Sequence, residues 1–207
     1  MIALIDYGAG NLASVRKALH ACGAVVLDPS GPVDLARAAA IVLPGVGHFA
    51  ATASLDAGWR AAIRGRLEAG VPFLGICLGM QWLFEGSDEA PGVPGLGWLP
   101  GRIVRLPERT PEGVRVKVPH TGWNTARIPA PASGGRAVPG LEDGAYFYFT
   151  HAYAAPPGED AAAATTVYGV PFASAVRRGR VQGVQFHPEK SGSAGLAVLR
   201  AFVGGRR

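Results

Sequence analysis

Apolar positions along the first half of the chain fall into short, nearly continuous runs separated by amphipathic stretches. Ile2-Ala3-Leu4-Ile5 stops at Asp6, Asn11–Cys22 has helical periodicity, and Val25–Asp28 and Ile41–Leu43 read as further strands around a polar, helix-like segment. Trp59–Ala69 reads as a helix stopped by Gly70, and Val71–Ile76 as a buried strand running straight into a helix over Leu78–Phe84. Strands this uniformly apolar are covered on both faces, which predicts a parallel sheet flanked by helices.

Beyond Gly86 the texture changes. Gly and Pro recur every few residues, and the runs Gly101–Leu106, Arg115–Val118, Tyr146–Thr150, Thr165–Tyr168, Phe172–Val176 and Val181–Phe186 come without long helices between them. An antiparallel extension of the parallel half is expected, with Thr125–Gly140 and Ala154–Ala164 as loops and a last helix from Gly192 to Val203 capped by Ser191. With 207 residues, 48% of them apolar, the chain suits one sizeable core, so a single α/β domain over 1–207 is expected.

Composition narrows the classes of function. The opening apolar run is short and lacks a basic flank, so it reads as neither signal peptide nor anchor, and no run approaches a membrane span. Two cysteines make no disulfide framework, and a reducing cytoplasm is the natural setting. The net charge of +5 is spread over clusters such as Arg60/Arg64/Arg66, Arg177/Arg178/Arg180 and Arg206/Arg207, without interleaved aromatics. These read as solvated surface, with neither nucleic acid nor membrane as partner.

The strongest local signal is Gly75-Ile76-Cys77-Leu78-Gly79 between a strand and a helix, the cysteine form of a nucleophile elbow. Small flanking residues permit a strained turn that projects the sulfur from the carboxyl end of the sheet, and the Leu78 N–H then points where an oxyanion would form. The helix behind it would favour the thiolate. A thiol nucleophile needs a base, and Gln185-Phe186-His187-Pro188-Glu189 supplies one, strand alternation placing His187 and Glu189 on one side so that the carboxylate orients the imidazole. Pro44-Gly45-Val46-Gly47-His48-Phe49 follows a strand at a position where doubly wound sheets carry ligand loops, and its backbone at Val46 and Gly47 is a second source of oxyanion donors. His48 reads as a loop residue and Cys22 as a core residue. A competing pattern is Gly8-Ala9-Gly10-Asn11-Leu12-Ala13 with Asp28 further on, which fits a dinucleotide fingerprint except that Asp6-Tyr7 crowds its turn and alanine fills its third position.

Taken together, the elbow, His187-Pro188-Glu189-Lys190-Ser191, Asp6–Asn11, Pro119-His120-Thr121-Gly122-Trp123-Asn124 and Tyr146–Tyr153 resemble the class I, or triad, glutamine amidotransferases, and within them the glutaminase subunits serving histidine biosynthesis. Thr121 and Ala152 depart from the methionine and serine more usual there. The resemblance implies a flavodoxin-like fold, L-glutamine as substrate, no cofactor and no metal. It implies Cys77 as nucleophile, His187 as base and Glu189 as its orienter, oxyanion donors at Val46, Gly47 and Leu78, and a glutamine pocket including Gly45, Gln81, Ala152 and Tyr153. It also implies a heterodimer with a (β/α)8-barrel cyclase subunit that receives the ammonia, with Asn11, Trp123, Asn124 and Lys190 toward that partner. Two alternatives stay open: a glutaminase serving a chorismate or pyridoxal phosphate pathway, and a dinucleotide-binding scaffold in which the cysteine is silent.

Overall fold

The computed structural model describes residues 1–129, 137–158 and 162–205. In chain order the elements are β1 (Ile2–Leu4), α1 (Leu12–Ala21), β2 (Val26–Leu27), β3 (Ala40–Leu43), α2 (Ala57–Glu68), β4 (Phe73–Ile76), α3 (Leu78–Gln81), β5 (Gly86–Ser87), β6 (Arg102–Arg105), β7 (His120–Thr125), β8 (Tyr146–His151), β9 (Tyr153–Ala154), β10 (Ala162–Tyr168), β11 (Val170–Arg178), β12 (Val181–Val184) and α4 (Gly192–Gly204). Short 3-10 helices lie at Pro32–Arg37, Phe49–Ser54 and Pro188–Lys190.

Seven strands form the main sheet in the order β10-β11-β12-β4-β3-β1-β2. From β12 to β2 every neighbour is parallel, and β10 and β11 extend that sheet antiparallel. Alternation along the parallel strands divides the core in two: Ile2, Leu4, Val42, Leu74 and Ile76 pack with α1 and α4, while Ala3, Ile5, Ile41, Leu43 and Phe73 pack with α2. Because both faces are covered, the strands show no polar alternation, as the sequence pattern implied. The late strands also build the small sheet β5-β6-β9 and the antiparallel ribbon β7-β8, which leans on the first core through Phe147 and Phe149.

Several expectations change. The helix after Cys77 ends at Gln81 rather than Phe84: the Leu83 and Phe84 amides turn to the carbonyls of Met80 and Gln81 three residues back, and the carbonyls of Trp82, Leu83 and Phe84 accept from the amides of Leu96, Trp98 and Gly97. Arg115–Val118 is not a strand: it has no sheet beside it beyond one bridge between Arg109 and Arg115. Its alternation of charged and branched residues lacked a partner to pair with. Strand β7 does not stand out in the sequence because Gly122 and Asn124 interrupt its strand formers Thr121, Trp123 and Thr125, and its pairing with β8 supplies what local propensity does not. The expected loops are strand at their edges, at Thr125 and from Ala162, and 130–136 and 159–161 lie outside the described residues. Ser191 precedes α4 but makes no side-chain cap; its Oγ donates instead to the His187 carbonyl and accepts from the Tyr148 amide.

The basic clusters are not simply solvated. Arg60 donates to the carbonyls of Pro94 and Gly95, Arg64 to Leu96, Arg66 to Ala38, Arg178 to Trp98 and Arg180 to Gly205. They clamp loops whose carbonyls lack regular partners; Arg206 and Arg207 lie outside the described residues. Among the described residues no helix is long and apolar enough to cross a membrane.

Candidate active site

Cys77 follows β4 at the carboxyl end of the parallel sheet, its amide donating to the Val184 carbonyl at 2.8 Å and so prolonging the β4-β12 pairing by one residue. Its φ of 53° is the only positive value at a non-glycine among the described residues. A left-handed cysteine is strained, and the turn is held by three close approaches that only glycine allows. A Cβ at Gly75 would lie 2.5 Å from the Gly79 carbonyl oxygen, one at Gly79 would lie 1.8 Å from the Leu43 carbonyl oxygen, and one at Gly45 would lie 2.1 Å from the Tyr7 hydroxyl. Helix α3 is a single turn, so few peptide dipoles line up behind the sulfur. The surrounding side chains carry more of the local field.

The structure brings His187 to this sulfur. The His187 amide donates to the Tyr148 carbonyl at 2.9 Å, and its Nδ1 pairs with Glu189 Oε1 at 2.9 Å, both side chains being 1% exposed. The pairing does not arise from strand alternation. Strand β12 ends at Val184, and the 3-10 turn Pro188–Lys190 folds Glu189 back under the ring. Burial opposes charge on His187, but Cys77 and Glu189 overcome it and raise its proton affinity well above the ordinary histidine range. With Nδ1 taken by the carboxylate, Nε2 is the nitrogen left for Cys77; in this resting arrangement it is buried without a hydrogen-bond partner. Gln185 adds a donor, its Nε2 lying 3.5 Å from Sγ.

The loop Gly45–His48 lies beside the sulfur, with Gly47 at φ 94° and exposed, and Val46 half-buried. The Leu78 amide, expected to be aimed at an oxyanion, donates instead to the Gly45 carbonyl at 3.3 Å. Tyr7 backs the same loop, its buried hydroxyl without a hydrogen-bond partner and its proton held more tightly by burial, then by Cys77. His48 caps the following 3-10 helix, its Nδ1 accepting from the Ala50 amide at 3.1 Å.

Of the expected pocket residues, Gln81 is buried and directs its Nε2 to the Tyr153 carbonyl at 2.9 Å and to Gln185 Oε1 at 3.1 Å. The Ala152 carbonyl accepts from the Leu106 amide at 2.8 Å, and Tyr153 packs half-buried against the second core. Two residues near the site were not anticipated. Glu89 accepts from the Phe49 amide at 2.8 Å and so anchors the end of the Gly45–His48 loop, and Gln185 touches the sulfur. Gln185 stood two residues before His187 in a segment already singled out; Glu89 had no sequence signal.

The residues expected to face a partner are separated in kind. Trp123 is 57% exposed and meets Tyr148 edge-on at 6.1 Å, while Lys190 Nζ lies 5.9 Å from the centroid of the same tyrosine ring. They make one surface cluster beside the triad. Asn11 caps α1, accepting from the Ser14 amide at 3.4 Å, and Asn124 donates to the Val167 carbonyl at 3.1 Å. The dinucleotide reading loses its acid, because Asp28 pairs with Arg16 of α1, and Gly8 turns back on the Asp6 carboxylate at 2.9 Å. Cys22 is half-buried against the first core, and burial raises its pKa.

Comparison with known proteins agrees with this geometry. The family model for glutamine amidotransferase class-I matches residues 3–204. The chain is 47% identical over 203 residues, 98% of each chain, to the imidazole glycerol phosphate synthase subunit HisH of Methanothermobacter thermautotrophicus. It is 49% identical to the subunit of the same name from Moorella thermoacetica, over 97% of this chain and 93% of that one. Among solved structures, one described as a glutamine amidotransferase superposes with a TM-score of 0.73 at 19% identity over 99% of this chain and 100% of the other. PurLQS from Thermotoga maritima superposes at 0.71 with 17% identity over 100% and 98%. At these identities the superpositions speak for the fold.

Proposed function

The chain belongs to the glutamine amidotransferase class-I family, and on that premise we propose that it is the glutaminase subunit of an imidazole glycerol phosphate synthase, releasing ammonia from L-glutamine at Cys77. The observation that carries the reading is the buried pairing of His187 with Glu189 beside a cysteine held in a left-handed elbow.

Cys77 Sγ, its proton already held by His187 Nε2, attacks the side-chain carbonyl carbon of glutamine. The tetrahedral intermediate collapses as His187 returns that proton to the departing nitrogen, leaving a glutamyl thioester and ammonia. Water then attacks the thioester with His187 as base, and collapse of the second intermediate releases glutamate and the Cys77 thiolate beside the reprotonated His187. Glu189 keeps the imidazole in one orientation and stabilises its charged form in a site where burial works against charge. Each intermediate places negative charge on the former carbonyl oxygen. Leu78 N–H serves that oxygen once the Gly45 carbonyl gives it up, with the Val46-Gly47 backbone as the second donor.

Ammonia in neutral water is mostly protonated and a poor nucleophile, so the product has to reach its acceptor without meeting bulk solvent. The cluster of Trp123, Tyr148 and Lys190 beside the triad is the surface on which we place a (β/α)8-barrel cyclase as the partner in a heterodimer. A glutaminase assay with and without the purified cyclase tests the reading. Turnover should fall by at least about a thousandfold in Cys77→Ala; retained hydrolysis in that variant excludes the mechanism, and stimulation by an unrelated synthase in place of the cyclase excludes the pathway.

A further inference from the structure

The β7-β8 ribbon is joined to the nucleophile by an unbroken series of polar contacts. Asn124 Nδ2 lies 3.4 Å from His120 Nε2, His120 Nδ1 lies 3.2 Å from His151 Nε2, and His151 Nδ1 lies 3.0 Å from the Tyr153 carbonyl oxygen. The Gln81 amide donates to that same oxygen and to Gln185 Oε1, and Gln185 donates to Cys77 Sγ.

The direction of every bond is fixed by elimination. A carbonyl oxygen only accepts, so His151 carries its proton on Nδ1, and burial, with His120 and His187 nearby, keeps the ring neutral. Its Nε2 is therefore an acceptor, which makes His120 Nδ1 the donor between the two rings. Burial keeps His120 neutral as well, so its Nε2 accepts from Asn124. Both amide hydrogens of Gln81 are spent on the Tyr153 and Gln185 oxygens, leaving the Gln185 amide turned with its nitrogen toward sulfur. Each link holds the next in one orientation, in a low-dielectric interior where a misdirected polar group is costly.

We propose that His120 and His151 are positioning residues for the nucleophile, carrying a hydrogen-bond relay that runs from Asn124 of the ribbon to the Tyr153 carbonyl oxygen, where the Gln81 amide meets it and leads on through Gln185 to the sulfur of Cys77. The inference rests on Cys77 being the glutaminase nucleophile and adds how a surface ribbon is coupled to it. Trp123 of the proposed partner face is next to Asn124 in the ribbon, so displacement of the ribbon reorients the Gln185 donor and changes the reactivity of the thiol. His120 stacks on Tyr168 at 3.9 Å and on Phe149 at 4.9 Å, which lets its packing be separated from its hydrogen bond.

Two substitutions make that separation in the full-length chain. His120→Phe keeps an aromatic ring in the stack and removes the donor; His120→Asn keeps a donor near the Nδ1 position and loses the stack. Alkylation of Cys77 by iodoacetamide, followed by mass spectrometry of its peptide so that Cys22 is counted apart, should slow by about fivefold or more in His120→Phe and stay within about twofold of wild type in His120→Asn. The melting temperatures should follow the opposite order. Alkylation rates that track melting temperature, or that are unchanged in both variants, overturn the relay. Nitrogen-15 spectra of the unsubstituted protein test it without mutation: both histidines should be Nδ1–H tautomers at neutral pH, and an Nε2–H tautomer on either one overturns it. None of these readouts needs turnover, so absence of glutamine hydrolysis by the wild-type chain with its cyclase would count against the glutaminase reading separately.

Discussion

The amide of Leu78 donates to the carbonyl of Gly45, so the group best placed to stabilise negative charge next to Cys77 is occupied by the chain's own backbone. The contact is long, at 3.3 Å, and Gly45 has no side chain to hold it in place. On the proposed mechanism, such a site has its nucleophile and base together but an incomplete electrostatic receptor for the transition state. The isolated subunit should therefore hydrolyse glutamine slowly, and the cyclase should raise kcat by about a hundredfold while changing KM by no more than about threefold, since an oxyanion donor acts on the transition state more than on bound substrate. Steady-state kinetics with and without the cyclase measures the split.

Gly79 approaches the Leu43 backbone so closely that any side chain collides with a carbonyl that cannot move without breaking the sheet. Gly79→Ala should cost about 3 kcal/mol or more in chemical denaturation. Gly65→Ala, on the solvent side of α2 with open space around it, should stabilise slightly or be neutral.

Glu189→Gln preserves the shape of the His187 contact and removes its charge. Hydrolysis should fall by about a hundredfold, and the titration of His187, followed by NMR, should move to lower pH. Because the folded protein holds this proton more tightly than the unfolded chain does, the associated stability is complete below about pH 6.5 and is lost as pH rises toward about 10. The stability difference between wild type and Glu189→Gln should accordingly shrink as pH rises through that window.

His120 and His151 have the opposite linkage. Burial lowers their pKa values to about 4 and about 3, so in acid the unfolded chain binds protons that the folded state does not. Stability should decline as pH falls from about 6.5 toward 4, and the decline should be shallower in His120→Phe. Thermal melts across that range check the slope.

Trp123 projects from the ribbon with more than half its surface exposed, so Trp123→Ala should leave the melting temperature within about 2 °C of wild type. Affinity for the cyclase should fall by about tenfold or more if the indole anchors the interface, a change that titration calorimetry would resolve.

The residues legible in the sequence are those whose role is written in local chemistry. The uniformly apolar runs around Ile2, Ile41 and Phe73 read as buried strands, and the glycines on both sides of Cys77 at a strand-helix junction read as a tight turn. The His187-Pro188-Glu189 triplet likewise named its own partners, although it pairs through a 3-10 turn rather than by strand alternation. Residues whose role depends on distant neighbours were silent. Nothing in the sequence sets Glu89 against the Phe49 amide or His120 opposite His151 across the ribbon.

What the sequence determined by itself is the parallel half of the sheet, the elbow at Cys77 and the pairing of His187 with Glu189, because periodicity, glycine spacing and side-chain chemistry are local properties of the chain. Tertiary structure alone decided where α3 ends, whether the Leu78 amide is free, how arginines close the loops and which tautomers His120 and His151 adopt. Each of those turns on a donor meeting an acceptor from another part of the chain, 35 residues away for Arg60 and Gly95, 32 for Arg64 and Leu96 and 31 for His120 and His151, and hydrogen bonds of that range leave no period in the sequence.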